Sequence, residues 1–217
     1  MRMRKKKNLD SRWEKVADSL ATDPAALKGN WKSLLRDAGA LRVELGCGKG
    51  MFLSACALES PEVLFVGIEK VPEALLMAME KADANRLPNA RFVDGDVAKL
   101  GDFFDPCEVD TLYLNFCDPW PPRKQAKRRL THRSFLELYR RVLKPDGVLL
   151  FKTDDAALFL FSQEELAATG ARVAFRSTDW HRDPAYPGDD HMTEYETRFA
   201  ARGLPIYRLE ATWGEVF

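Results

Sequence analysis

The chain has 217 residues, which is long enough to bury a full hydrophobic core and favours one α/β domain or two small ones. Apolar residues make up 46% and charged residues 30% of the chain, and this composition excludes an intrinsically disordered or fibrous protein. The formal net charge is zero, but the charge is unevenly distributed along the sequence.

Two segments carry most of the unbalanced positive charge. Residues 1–7 hold five Lys or Arg and residues 123–133 hold six, with no acid in either segment. The rest of the chain has 22 bases and 33 acids. This distribution predicts a basic surface that binds a polyanion, and a solvated surface without a partner is the alternative for each segment.

The cysteines and histidines predict neither a disulfide framework nor a metal site. The four cysteines, at 47, 56, 107 and 117, show no CxxC spacing, and there are only three histidines. Free thiols fit a reducing compartment, so we expect a cytoplasmic protein. No stretch approaches the roughly 20 apolar residues of a membrane span, and no membrane association is expected.

The first 40 residues are predicted to form a basic extension with helices that pack on the domain formed by residues 41–217. Apolar residues at helical spacing predict a helix over 9–21. Residues 23–40 read as a shorter helical connector, which is broken by Gly29 and ended by Gly39.

From residue 41 the chain alternates between strands and helices, which is typical of βαβ units and a parallel sheet. The strands near 63–68 and 148–151 lack polar alternation, as expected when helices cover both faces. Predicted strands lie at 41–45, 63–68, 91–96, 111–116, 147–153, 172–177 and 205–213. Predicted helices follow the glycine loop and lie at 72–85, 131–143, 156–170 and 193–203.

A glycine loop, VELGCGKGMF, follows the first strand and contains Gly46, Gly48 and Gly50. Glycine lets the backbone turn tightly and approach a ligand closely. A dinucleotide-binding fingerprint needs its third glycine one position later, where this chain has Met51, so a nicotinamide site is disfavoured. A plain strand-to-helix turn remains the alternative for the glycines alone.

Three acids lie in or directly after the first three strands. Glu44 is in the first, Glu69 ends the second, and Asp96 follows the third. Because ligands bind beyond the carboxyl ends of strands in a doubly wound sheet, Glu69 and Asp96 should line one crevice. An acid at Glu69 can accept from both ribose hydroxyls, Asp96 can reach an adenine amino group, and Glu44 adds negative charge near a cation. S-adenosylmethionine combines these groups without a phosphate, and we predict it as the cofactor.

The fourth strand leads into NFCDPWPPRKQAKRR at 115–129. Prolines follow Asp118 and Trp120, which favours extended backbone at both, so Asp118 should be held with little freedom. Such an acid suits catalysis by positioning at the reactive end of the cofactor. A surface proline turn is one alternative. Another is the [DN]PP[YF] corner of exocyclic-amine methyltransferases, from which Trp120 and Pro121 depart.

Several segments resemble bacterial tRNA (guanine-N7-)-methyltransferases, namely LYLNFCDPWPP, KRRLT, FKTDD, MTEYETRF and GLPIYRLEATW. The resemblance covers nearly the whole chain. It implies a single-domain α/β, Rossmann-like class I methyltransferase fold, with a mostly parallel seven-stranded sheet, helices on both faces and an antiparallel last strand. It also implies methyl transfer from S-adenosylmethionine to N7 of a guanine in the tRNA variable loop. The sequence shows no obligatory protein partner, and we expect a monomer.

The resemblance also implies roles for individual residues. It makes Asp118 the catalytic acid and assigns cofactor contacts to Glu44, Glu69, Asp96 and Asp118, and the glycine loop is expected to add contacts from Gly46 and Gly48. Substrate contacts fall on Arg123, Asp154, Thr193, Glu194, Tyr195 and Glu196, and RNA contacts on Lys124, Lys127, Arg128 and Arg129. Pro122 and Gln125 depart from the usual lysine and histidine of the family, and Arg123 or Lys124 is the candidate for the missing charge.

The chemistry of guanine agrees with an acidic site. N7 has an exposed lone pair and no proton, so its methylation requires no obligatory general base. A carboxylate can instead accept from the N1 and N2 donors and offset the positive charge that methylation leaves on the base. We assign Asp118, Asp154 and Glu196 to this work.

Ordinary helix capping is the alternative for two of these segments. Thr193 and Glu196 have the spacing of a capping box, and Glu194 with Arg198 has the spacing of an ion pair. Either acid of KTDD could cap the helix that begins at 156. A capped helix start can also present its side chains to a base, so the two interpretations are compatible.

Two other classes of protein remain as alternatives to an RNA methyltransferase. One is a binding-only protein with a nucleoside pocket and an RNA surface. The other is a small-molecule methyltransferase with an incidental basic patch. The complete set of acids on the first four strands counts against a site that has lost its activity.

Overall fold

The structure is a computed structural model that describes residues 9–188 and 190–214. These residues form one seven-stranded sheet with the strand order β3-β2-β1-β4-β5-β7-β6. All neighbouring strands are parallel except β7, which runs antiparallel to both β5 and β6. This confirms the predicted sheet, including its antiparallel last strand. The basic segment at residues 1–7 lies outside the described residues.

The strands begin and end close to the positions that the sequence predicts. They are β1 Ala40–Leu45, β2 Val63–Glu69, β3 Ala90–Asp94, β4 Val109–Asn115, β5 Leu143–Thr153, β6 Arg172–Ser177 and β7 Tyr207–Thr212. The largest difference is at β5, which begins four residues before the predicted start at 147. The first part of β5 pairs with β4 across an irregularity in register.

The α-helices alternate with these strands and cover both faces of the sheet. They are α1 Leu9–Val16, α2 Met51–Glu59, α3 Pro72–Ala84, α4 Leu100–Phe103, α5 Arg133–Val142, α6 Ala156–Ala168 and α7 Glu194–Ala200. Buried apolar side chains form two clusters that line the sheet. The strand β2 contributes to both clusters, which explains why its sequence lacks polar alternation.

The N-terminal segment differs from its prediction. The first helix ends at Val16 and continues as a 3₁₀ helix, Ala17–Ser19, instead of running to residue 21. Residues 23–40 form turns and the 3₁₀ helix Trp31–Leu34, not an α-helical connector. Their contacts are tertiary: the Trp31 indole is fully buried and donates to the carbonyl of Phe103 at 2.8 Å. The burial of Trp31 therefore determines the conformation of this segment, and the helical spacing of apolar residues cannot predict such a tertiary contact.

Close packing at the first βα turn fixes the position of α2. Gly50 has a φ of 71°, in the left-handed region that favours glycine. A Cβ at this position would lie 2.7 Å from the Cβ of Ala78 in α3. The glycine at 50 therefore allows α2 to pack directly on α3.

Candidate active site

A crevice of about 240 Å³ opens beyond the carboxyl ends of the strands, where the strand order reverses between β1 and β4. This is where a doubly wound sheet binds its ligands. The crevice brings together the glycine loop, two of the predicted acids and the proline corner. It is lined by Leu45, Gly46, Ile68, Glu69, Lys70, Val71, Gly95, Asp96, Val97, Asn115, Phe116, Cys117, Asp118, Trp120, Arg128 and Leu130.

The glycine loop leaves an open surface at the floor of this crevice. Gly46 has a φ of 75° and Gly48 a φ of 55°, so both occupy the left-handed region. A Cβ at either position would meet no heavy atom within 4 Å. The left-handed backbone favours glycine at both positions, and the absence of neighbouring atoms leaves the backbone open to a ligand that lies close to it.

Glu69 is fixed by backbone N–H groups around the loop. Its Oε2 accepts from the N–H of Gly48 at 3.0 Å, and its Oε1 accepts from those of Lys70 and Val71, both at 2.9 Å. Asp96 is exposed, and its Oδ1 accepts from the N–H of Ala98 at 2.9 Å. Each carboxylate is thus held in place by the backbone while it lines the crevice.

Glu44 is buried beside the crevice, with only 3% of its surface exposed. Its Oε1 accepts from Nδ2 of Asn115, a crevice residue, at 3.1 Å, while the buried Oε2 has no hydrogen-bond partner within the described residues. Burial raises the pKa of Glu44 to about 8. A buried carboxylate oxygen without a partner is unfavourable, and a cationic or donor group bound nearby would relieve it.

The proline corner places Asp118, which is exposed, in the same crevice as Glu69 and Asp96. Two residues near it have left-handed backbone: Phe116, with a φ of 51°, and Trp120, with a φ of 41°. The expectation of extended backbone at Trp120 was therefore wrong. The local preference set by the following proline is overridden by the contacts around the corner.

These contacts come from the basic segment that follows. The guanidinium carbon of Arg128 lies 3.4 Å from the centre of the Trp120 ring, which is a cation–π contact. Arg129 donates to backbone carbonyls of the corner. Arg128 also lines the crevice, whereas Arg123 and Lys124, the candidates for the missing family lysine, are not among its lining residues.

The start of α7 meets the end of β5 beside the corner. The Tyr195 hydroxyl lies 3.3 Å from Oδ2 of Asp154, and the Tyr195 ring lies 5.3 Å from that of Phe116. Thr193 caps α7 by accepting from the N–H of Glu196 at 3.0 Å. The structure thus brings Tyr195 into contact with Phe116, which lines the crevice, and Asp154 into contact with Tyr195.

The other two predicted residues of this segment form ion pairs within the protein. Glu194 forms an ion pair with Lys81 of α3 at 2.8 Å, instead of the ion pair with Arg198 that its spacing suggested. Glu196 is fully buried, 3.3 Å from Nζ of Lys152 and 2.9 Å from Nε2 of His181. The capping interpretation is confirmed for Thr193 and also for Asp155, which accepts from the N–H of Leu158.

Sequence reasoning missed the buried charge cluster behind α7. Lys152 is 5% exposed and pairs with Asp190 at 2.6 Å as well as with Glu196. Arg208 lies 3.3 Å from Asp190. One signal was available: Lys152 is a charge at the end of the apolar run VLLFK, in a strand whose helices cover both faces.

The basic segment has two kinds of residue. Arg123, Lys124 and Lys127 are exposed on the 3₁₀ helix Arg123–Arg128. Arg133 instead binds the buried Glu165 of α6 through two side-chain contacts, at 2.7 and 2.9 Å. Total positive charge therefore overstates the number of side chains free to bind a polyanion.

Neither a metal site nor a membrane span is found in the described part of the chain. No group of three or more His, Cys, Asp or Glu among residues 9–188 and 190–214 could hold a metal ion. None of the helices described is long and apolar enough to cross a membrane.

Known proteins resemble the chain in sequence and in fold. Residues 38–209 match the family described as "Putative methyltransferase". The chain is 40% identical over 213 residues to the tRNA (guanine-N(7)-)-methyltransferase of Streptococcus equi subsp. zooepidemicus, covering 98% of this chain and 100% of that protein. It is 41% identical over 212 residues to the protein of the same name from Clostridioides difficile, covering 97% and 98%. A solved antibiotic-related methyltransferase shares the fold, with a TM-score of 0.64 and 17% identity over 85% of this chain and 93% of that chain.

Proposed function

Because the chain belongs to the tRNA (guanine-N(7)-)-methyltransferase family, we propose that it methylates N7 of a guanine in the variable loop of tRNA, with S-adenosylmethionine as the methyl donor. One observation of the structure supports the proposal most strongly. A single crevice contains the glycine loop, the acids after β2 and β3, and the Asp118 corner. A methyl donor held by the glycine loop and these acids would therefore present its reactive end to the Asp118 corner.

The residues present fit this donor. When bound, S-adenosylmethionine supplies an electrophilic methyl group on a positively charged sulfur. Gly46 and Gly48 leave space for close approach, Glu69 is placed to accept from ribose hydroxyls, and Asp96 to accept from an adenine amino group. The unpartnered Oε2 of Glu44 fits a cationic group such as the amino group of the methionine moiety.

Asp118 is our candidate for the catalytic residue. Guanine N7 needs no base, so the contribution of the protein is to orient the ring and to stabilise the positive charge that develops on it. An exposed carboxylate at a corner stiffened by prolines can accept from the N1 and N2 donors of guanine. Asp154 and Tyr195 lie within hydrogen-bonding distance of each other and extend this surface for the base.

Glu196 has a different proposed role from the one that the sequence suggested. Its carboxylate is fully buried and is engaged by Lys152 and His181. We assign it to positioning α7, so that Thr193 and Tyr195 face the base. Direct recognition of guanine then falls to Asp118 and Asp154.

The exposed cations of the 3₁₀ helix are proposed to contact tRNA phosphates. Arg123, Lys124 and Lys127 follow Asp118 within nine residues, so phosphates bound there would bring the RNA to the corner. The binding energy would also offset the few kcal/mol needed to expose a guanine engaged in tertiary structure.

The proposed function is tested with purified protein, labelled S-adenosylmethionine and two tRNA transcripts. One transcript is unmodified, and the other has its variable-loop guanine replaced by adenine. We expect label in the first transcript only, at a nucleotide that becomes cleavable by aniline after borohydride reduction, as 7-methylguanosine does. Equal labelling of both transcripts, or of neither, would overturn the proposal.

A further inference from the structure

We propose that Arg129 is a positioning residue that holds the Asp118 corner in shape, and that it is not a phosphate ligand of the basic segment. The inference rests on the proposed function, because the corner matters only if Asp118 acts in the reaction. It concerns a side chain that the charge pattern groups with its exposed neighbours Lys127 and Arg128.

The guanidinium of Arg129 contacts three successive carbonyls of the corner. Its Nε donates to the carbonyl of Pro119 at 2.9 Å, with a longer contact of 3.4 Å to that of Trp120. Its Nη2 donates to the carbonyl of Trp120 at 3.1 Å, with a longer contact of 3.4 Å to that of Pro121. These are the three residues that directly follow Asp118.

The corner needs such support because its backbone is strained. Phe116 and Trp120, on either side of Asp118, are both in the left-handed region, which is unfavourable for side chains of this size. Strained backbone persists only where surrounding contacts hold it. Arg129 donates to the carbonyl of Trp120 itself, and Arg128 stacks on the Trp120 ring from the same segment.

Arg129 is itself anchored to the helices behind the corner. Its guanidinium carbon lies 4.4 Å from the centre of the Phe161 ring in α6. The next carbonyl along the chain, that of Leu130, accepts from the hydroxyl of Tyr139 in α5 at 2.9 Å. The Arg129 side chain is half-buried, and its guanidinium connects the corner to α6, while the backbone of the following residue is held by α5.

Lysine cannot reproduce this arrangement. A planar guanidinium presents several donors at fixed angles, whereas an ammonium is a single point with three rotating donors. An Arg129→Lys variant therefore keeps the charge and loses the fork. A phosphate ligand would tolerate that change much better than a support for three carbonyls.

The test compares Arg129→Lys and Arg129→Ala with Lys127→Ala, an exposed neighbour from the same segment. For each protein, kcat and KM for tRNA are measured, together with the salt dependence of tRNA binding. Both Arg129 variants are expected to lose kcat by up to about 10²-fold, as misplaced catalytic groups do, with the salt slope unchanged. Lys127→Ala, which removes a proposed phosphate contact, should instead raise KM for tRNA and reduce the slope by about 0.7–0.9. Added guanidinium ion should restore part of the kcat of Arg129→Ala.

The outcomes separate this inference from the proposed function. Failure of the unsubstituted protein to methylate tRNA would overturn the function itself. If that protein is active and Arg129→Lys retains full kcat, the inference is wrong. It is equally wrong if the Arg129 variants keep kcat, bind tRNA more weakly and show a smaller salt slope. Arg129→Lys decides the question even if Arg129→Ala does not fold.

Discussion

The acids of the crevice differ in how far they are shielded from water, and this difference separates their proposed roles. Glu44 is almost fully buried, and burial raises its pKa to about 8. Glu69 is held by three backbone N–H groups, whereas Asp118 is exposed at the corner. A buried acid suits recognition of a cation, and an exposed one suits an incoming base.

At Asp118 we predict that substitution by Asn or Ala separates catalysis from cofactor binding. Either change removes the negative charge that would stabilise the methylated guanine, and we expect turnover to fall on the order of 10²-fold. Asn keeps the size of the side chain, so any loss shared by both variants reports the charge. Cofactor affinity, measured by calorimetry, should be at least partly retained. Near-normal turnover in both variants would remove Asp118 from the mechanism.

At Glu44 we predict an effect on the pH dependence of stability. The folded-state pKa of about 8 exceeds the usual value of 4.5 because burial disfavours the charged form. Between these two values the unfolded chain loses a proton that the folded chain keeps, so the free energy of unfolding falls as pH rises. The contribution is at most about 1.4 kcal/mol per pH unit, and it ends above pH 8.

The matched variant is Glu44→Gln, which does not titrate and retains an oxygen that can accept from Asn115. Urea unfolding of both proteins from pH 5 to pH 9 measures the difference. The unsubstituted protein should lose stability relative to the variant as pH rises through this range. Parallel profiles would show that Glu44 ionises in the folded protein as it does in the unfolded chain.

Among the elements, α7 shows how much of the site could be predicted. The threonine cap follows from local spacing and is confirmed, and the rings of Tyr195 and Phe199, four residues apart, stack at 4.6 Å. Glu194 and Glu196 could not be placed in this way, because their partners Lys81 and Lys152 lie far away in the chain. Local patterns predict where a helix begins, but not which distant charges its side chains meet.

Local patterns also failed to predict the contacts of the basic segment and of the N-terminal segment. The charge pattern groups Arg129 with its exposed neighbours as an RNA contact. Its side chain instead donates to backbone carbonyls, and the sequence cannot show which carbonyls a side chain will contact. Helical spacing predicts an α-helical connector at 23–40, although the burial of Trp31 fixes turns instead. By contrast, the strands and the acids of the crevice were predicted well, since strand alternation and strand ends are local features with a fixed place in a doubly wound sheet.

For the buried cluster behind α7 we predict a large cost when its cation is removed. Lys152→Met leaves Glu196 without its lysine in a fully buried position, and we expect a loss of about 3 kcal/mol or more. The control is Lys81→Met, which removes the half-exposed pair with Glu194 and should cost less than about 1 kcal/mol. Urea unfolding measures both.

A double substitution distinguishes the charge from the packing of Lys152. Adding Glu196→Gln to Lys152→Met removes the unpaired carboxylate and should recover part of the lost stability. If the two substitutions together cost as much as the sum of the two alone, the pair is not coupled. The cluster would then contribute by packing only.

On the scale of the whole molecule, the fold places the exposed cations and the acids of the site at one end of the sheet. The 3₁₀ helix Arg123–Arg128 directly follows the corner that leaves the carboxyl end of β4. Outside residues 1–7 and 123–133 the chain has 22 bases and 33 acids. We therefore expect the exposed cations beside the crevice to orient a bound polyanion as well as to strengthen its binding.

Neutralising the exposed cations should weaken tRNA binding without affecting chemistry at saturation. For the triple variant Arg123→Gln, Lys124→Gln and Lys127→Gln we expect KM for tRNA to rise and the slope of log affinity against log salt to fall by about 2–3. The control is Arg140→Gln with Arg141→Gln. These two exposed residues lie in the last turn of α5, just before the amino end of β5, whereas the crevice lies at the carboxyl ends of the strands. If the control lowers the slope as much per charge as the triple variant does, net charge and not this surface controls binding.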